Sequence, residues 1–184
     1  MADYFTYSCT QVDCPKGKEG VAITWVDEMK TFTEKIRDLK QIREEGGPEE
    51  EWDDSWLKES VHGAAFLNHN GGNLLSFIDS LDSFNVEISR ETAADGRILV
   101  FFTDNDEDIG VDYTALLIQS LLHALDSDKD VFMHWANTCS KHRSDSFSGG
   151  ACLICREDVT FISVVDALKQ LRHENRKCNA SFTS

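Results

Sequence analysis

The chain has 184 residues, 41% of them hydrophobic and 10% aromatic, and carries a net charge of -15. That is apolar enough to fold without a metal or disulfide staple, so wholesale disorder is excluded. No apolar run approaches the roughly 18 residues of a membrane span, and Met1-Ala2-Asp3-Tyr4 lacks the basic-then-apolar pattern of a secretory leader, which makes a cytoplasmic location the expectation.

In a reducing compartment the six cysteines (Cys9, Cys14, Cys139, Cys152, Cys155, Cys178) read as free thiols. Residues 3–12 are aromatic and β-prone and predict a first strand. Asp13 to Gly20, with Pro15 and two glycines, predicts a turn. Thr24 is placed to cap a helix to about Glu45, in which Trp25, Met29, Phe32, Ile36 and Leu39 form one apolar stripe at spacings of four and three. The stripe suits a core or a partner helix. Gly46-Gly47 ends it, and Pro48 followed by Glu49, Glu50 and Glu51 predicts a second helix whose carboxylates complement the positive end of its dipole. Leu74 to Leu81 predicts a third, short helix.

From residue 84 strands dominate. Phe84–Ile88 alternates, Asp95-Gly96 marks a hairpin turn, and Ile98–Phe102 reads as a buried strand. Asp112 is placed to cap a helix through Leu125. Val131–Ala136, Gly150–Cys155 and Val159–Ile162 read as further strands. Ser163, with Asp166 three residues on, opens a last helix with Val164, Ala167, Leu168 and Leu171 inward. The pattern predicts an α+β fold: a mixed, mostly antiparallel sheet of five or six strands, helices mainly on one face, and an N-terminal helical segment. Residues 1–83 form the strand-plus-helix part and 84–184 the sheet region of one continuous domain. The strand, helix, strand run from Ile98 to Ala136 should be a right-handed crossover, with hairpins elsewhere.

The charge is uneven. Residues 1–43 hold 7 acids and 7 bases, residues 44–130 hold 21 acids and 4 bases, and residues 131–184 hold 5 acids and 7 bases. Within the middle stretch, Glu44, Glu45, Glu49, Glu50, Glu51, Asp53 and Asp54 form one cluster, and Asp104, Asp106, Glu107, Asp108 and Asp112 a second. Such a field repels phosphates, so direct nucleic-acid binding is not expected, whereas a basic protein surface, such as the phosphate-binding groove of a nucleic-acid-binding complex, is attracted. A solvated acidic face is the plainer account of the same residues.

Motifs with chemical content fare less well. Cys152-Leu153-Ile154-Cys155 lies in a predicted strand, where residues three apart face opposite ways and cannot close on one metal. Asp104-Asn105-Asp106-Glu107-Asp108 opens like a calcium loop, but Ile109 and Ala115 stand where glycine and glutamate belong. The loop from His134 to Gly150 is polar and mildly basic. Lys141, His142 and Arg143 make it a candidate recognition loop, and Cys139 with His134 or His142 is a conceivable nucleophile and base. No catalytic residue, metal site or cofactor is assigned.

Trp135-Ala136, Thr138-Cys139-Ser140-Lys141, Arg143 and Phe147-Ser148-Gly149-Gly150-Ala151, together with Thr103-Asp104-Asn105 and Val111-Asp112-Tyr113-Thr114-Ala115-Leu116-Leu117, resemble segments of small acidic proteins of phages and prophages. The resemblance covers about residues 98–175. It carries no catalytic residue across, and implies a phage accessory role such as counter-defence. The expectation is therefore a non-enzymatic acidic protein, monomeric or homodimeric, that binds a basic partner surface, extending to a nucleic-acid mimic that inhibits a host nuclease complex. The alternatives are a metal-binding protein or small hydrolase centred on residues 134–155, and an assembly subunit using the Trp25–Leu39 stripe.

Overall fold

The structure is a computed structural model and describes residues 4–46, 55–56, 68, 86–104, 110–139, 148–167 and 169–170. Its elements are β1 (Tyr4–Asp13), α1 (Glu19–Glu44), β2 (Glu87–Thr92), β3 (Ile98–Asp104), α2 (Val111–Leu125), β4 (Val131–Cys139), β5 (Ser148–Ile154) and β6 (Val159–Ser163). A short helical stretch follows at 164–167 and 169–170. The second and third helices expected near 48–62 and 74–81, and the end of the last one, lie outside the described residues apart from Ser55 and Trp56, which are helical.

The six strands form one sheet in the order β2-β3-β1-β4-β5-β6. Every neighbouring pair is antiparallel. The expected α+β architecture is present, and the parallel relation survives only at one remove: β3 and β4 both oppose β1 and so run parallel to each other with β1 between them. The first four strands and two helices, β1-α1-β2-β3-α2-β4 in the order β2-β3-β1-β4, have the split β-α-β arrangement of ferredoxin-like folds. The β5-β6 hairpin extends the β4 side. β1 therefore lies inside the same sheet as residues 86–163.

Two-residue periodicity assigns the faces. Ser8, Thr10, Val12, Ile88, Ile98, Val100, Phe102, Val131, Met133, Cys152 and Ile154 are buried on one face, while Cys9, Gln11, Glu87, Phe132 and His134 are exposed on the other. The helices cover the buried face. Trp25 on α1 donates from Nε1 to Ser120 Oγ on α2 (3.1 Å) and packs its ring against Phe102, centroids 6.0 Å apart. The whole predicted stripe, Trp25, Met29, Phe32, Ile36 and Leu39, is buried. Each such side chain contributes about 1.5–3 kcal/mol by leaving water. The stripe is used up inside the molecule, so it offers no face to a partner helix.

Element ends differ from the reading in instructive ways. α1 starts at Glu19, not Thr24: Pro15–Lys18 closes a tight turn, Gly17 takes φ +87°, and the Gly17 N–H donates to the Glu19 carboxylate at 3.0 Å. That bond, with the Lys16 charge, holds the Glu19 carboxyl below its ordinary range. β2 begins at Glu87, later than expected, and runs into the Asp95-Gly96 turn that the sequence marks, with Gly96 at φ +85°. Arg97 secures this turn by pairing with Asp95 (2.6 Å) and Asp13 (2.9 Å). α2 is capped by Gly110, with no side-chain cap bond, and Asp112 sits in its first turn. Ser163 does cap the last helix: its Oγ accepts the Asp166 N–H (3.0 Å) and donates to the Asp166 carboxylate (2.7 Å). Val164, expected inward, is 49% exposed.

One polar anomaly lies in the centre of the sheet. Ser8 and Thr10 are buried, and their hydroxyls have no hydrogen-bond partner among the described residues. A buried hydroxyl without a partner costs about 1–3 kcal/mol. Thr10→Val keeps the branched shape and removes that cost, so chemical denaturation should show a gain of about 1 kcal/mol; a loss of similar size would mean that the hydroxyl is bonded.

Candidate functional site

Most of the acids and bases singled out by sequence fall in segments that adjoin described element ends, and the strand order brings those ends to one end of the sheet. β3 ends at Asp104 and β4 ends at Cys139, and both ends lie beside the first half of β1, with Ser8 opposite Asp104 and Tyr4 opposite Cys139. β5 and β2 both begin at this same end. α1 turns back from the far end of β1 after the short connection 14–18 and returns along the sheet. Its 26 residues span about 39 Å against about 23 Å for the seven of β3, which brings Glu44 to this end as well. The backbone thus enters or leaves segments 47–85, 105–109 and 140–147 at a common end.

Of the named residues, Glu44 and Glu45 are described and exposed, and Glu45 accepts a hydrogen bond from Gln41 Nε2 at 2.8 Å. Both sit at the negative end of the α1 dipole, where a carboxylate gains nothing from the helix. Glu49, Glu50, Glu51, Asp53, Asp54, Asp106, Glu107, Asp108, Lys141, His142, Arg143 and the Asp104 side chain lie outside the described residues. The polar loop itself is shorter than expected. β4 runs on to Cys139 and β5 starts at Ser148, so Gly149 and Gly150 are strand residues. The reason is Trp135, directly across from Gly150, whose ring fills the space a side chain there would need.

A second charged group, at the opposite end, was not singled out by sequence. Arg156 in the β5-β6 turn pairs through Nη1 with Asp126, through Nη2 with Asp128 (3.0 Å) and through Nε with Glu157 (3.0 Å). Beside it the Cys155 thiol donates to Asp130 at 3.2 Å. The alternation Asp126, Asp128, Asp130 was the available signal. What could not be read locally was that a turn some 30 residues on would bring an arginine to it. These pairs are exposed and individually worth little. Their consequence is electrostatic: a cation from the last third of the chain offsets part of the negative middle.

Three of the described thiols are poor nucleophiles. Burial pushes Cys152 up to about 11, and burial with the Glu19 charge raises Cys14. The bond to Asp130 raises Cys155, helped by the charges of Asp158 and Glu157. All three are protonated at neutral pH. In the Cys152-x-x-Cys155 pair, one thiol is buried in the sheet and the other lies past its end, because β5 stops at Ile154 and not at Cys155 as the sequence predicted. His134 is exposed on the face away from the helices. Among the described residues no group of His, Cys, Asp and Glu is arranged to hold a metal, and no helix is long and apolar enough to cross a membrane.

Two shallow grooves accompany these features. One, about 350 Å³, runs along the start of α1 between Gly20, Thr24, Glu28 and Ala124. The other, about 300 Å³, lies between α2 and β6 and is lined by Asp112, Ala115, Leu116, Gln119, Glu157, Asp158, Val159 and Phe161. No protein family matches this chain, and neither a curated protein nor a solved structure does.

Proposed function

We propose that this protein is a non-enzymatic interaction module that presents carboxylates to a basic surface of a partner protein. The observation that carries the reading is the common origin of segments 47–85 and 105–109 at one end of the sheet, next to the exposed Glu44 and Glu45. A surrogate for a row of phosphates needs its carboxylates held at fixed spacing. The resemblance to phage proteins makes a host nuclease complex that binds nucleic acid the first partner to test, with the protein acting as a mimic and inhibitor.

The experiment titrates such complexes with the full chain at about 50 mM and about 200 mM salt. Binding should weaken steeply with salt, and the variant carrying Glu49→Gln, Glu50→Gln, Glu51→Gln, Asp53→Asn and Asp54→Asn should lose at least tenfold in affinity. Binding that ignores both the salt and the substitutions would overturn the reading.

A further inference from the structure

The two edges of the sheet are built differently. The β2 edge carries Glu87, Arg90 and Glu91, and Arg90 is tied to α1 through Asp27 (3.6 Å) and the Ile23 carbonyl (3.3 Å). Charges of this kind protect an edge from pairing with another chain. The β6 edge, Val159-Thr160-Phe161-Ile162-Ser163, carries no charge, proline or glycine, and among the described residues pairs with β5 alone. Phe161 is 44% exposed on it.

The backbone groups of β6 that β5 leaves unpaired can be assigned among the described residues. Cys155 N–H donates to the Asp158 carbonyl (2.8 Å) to close the β5-β6 turn. Antiparallel alternation then turns positions 160 and 162 toward β5 and leaves the N–H and C=O groups of Val159 and Phe161 pointing outward. The side chains of these same two residues line the groove under α2. Acid stands at both ends of that groove, Asp112 toward the start of α2 and Glu157 with Asp158 at the turn, with Ala115, Leu116, Val159 and Phe161 between them.

We propose that β6 is a docking edge for an extended segment of a partner protein that carries lysine or arginine at every second position. The backbone of that segment would extend the sheet by bonding to Val159 and Phe161. Its alternate side chains would fall into the groove, where the aliphatic stems lie along Leu116 and Phe161 and the cationic heads reach the carboxylates. Charge decides the occupant: a second copy would set acidic groove against acidic groove between chains of net charge -15, whereas a basic strand neutralises it. The inference is independent of the carboxylates near Glu44 and survives if they bind nothing.

The test uses the full chain and three synthetic peptides: one alternating lysine and valine, one with the same residues in two blocks, and one alternating serine and valine. The alternating lysine peptide should slow hydrogen exchange at the Val159 and Phe161 amides and perturb the fluorescence of Trp135, whose ring is 6.3 Å from Phe161. The block and serine peptides should bind at least fivefold more weakly. Val159→Pro, at an outward N–H on the first residue of the strand, where proline is tolerated, should abolish the protection. Glu157→Gln with Asp158→Asn should weaken binding at least fivefold even if the proline variant does not fold. Neutralising Glu49 to Asp54 should leave this binding unchanged. Equal binding of the block peptide, no protection at Val159 and Phe161, or a dimer in light scattering that Val159→Pro dissociates would overturn the proposal.

Discussion

Gly150→Ala should destabilise the protein by about 3 kcal/mol, among the largest losses available to any single added methyl. A Cβ at this position would stand 2.4 Å from Trp135 Cζ2, 2.8 Å from Trp135 Cη2 and 2.7 Å from the Ile162 carbonyl oxygen. The ring cannot swing aside freely, because it reaches across β5 and packs edge-on against Phe161 on β6, and the carbonyl belongs to the β6 backbone. Trp135→Phe removes both crowding ring atoms but not the carbonyl. The double variant should therefore recover part of the loss, and a denaturation cycle of the two substitutions should show coupling of about 1 kcal/mol or more. A cost below about 0.5 kcal/mol for Gly150→Ala would mean that β5 and β6 shift apart easily, and the close approach of the tryptophan would then have no structural importance.

Phe102→Ala should cost about 3–5 kcal/mol. The side chain is fully buried, lies near the middle of β3 opposite Thr10, and meets the Trp25 ring at 6.0 Å. Removing it takes away one of the contacts that seat α1 on the sheet and leaves a void in the core. The same variant should shift the emission of Trp25 toward that of a wetter indole. A loss under about 1.5 kcal/mol with unchanged emission would show that α1 is held mainly by its later turns, Phe32 against Trp56 among them.

How far the sequence discloses this molecule depends on the range of the interactions involved. The α1 stripe was legible because residues three and four apart share a helix face whatever lies opposite. The Asp95-Gly96 turn and the Ser163 cap were legible because their chemistry closes within a few residues. Gly149 misled for the opposite reason: a glycine beside serines looks like a loop, and only the partner strand across the sheet explains it. The α2 cap was missed because Gly110 caps without a side chain, leaving Asp112 as the conspicuous but wrong candidate. Arg156 and its carboxylates meet only after α2, β4 and β5 are in place, so no local spacing announces them. The acidic clusters were visible as composition, but that the backbone enters segments 47–85 and 105–109 from one end of the sheet follows from the position of β1, and that is a property of pairing between distant segments.

That position of β1 bears on how the chain reaches its folded form. Tyr4–Asp13 pairs with two strands that begin at residues 98 and 131. During synthesis, β1 must therefore wait for both of these partners until residues 98–139 have followed. Contacts of such long sequence separation make closure slow, and a waiting aromatic strand is the segment most exposed to capture by other chains. Until β3 and β4 arrive, α1 is the only described element able to shelter it.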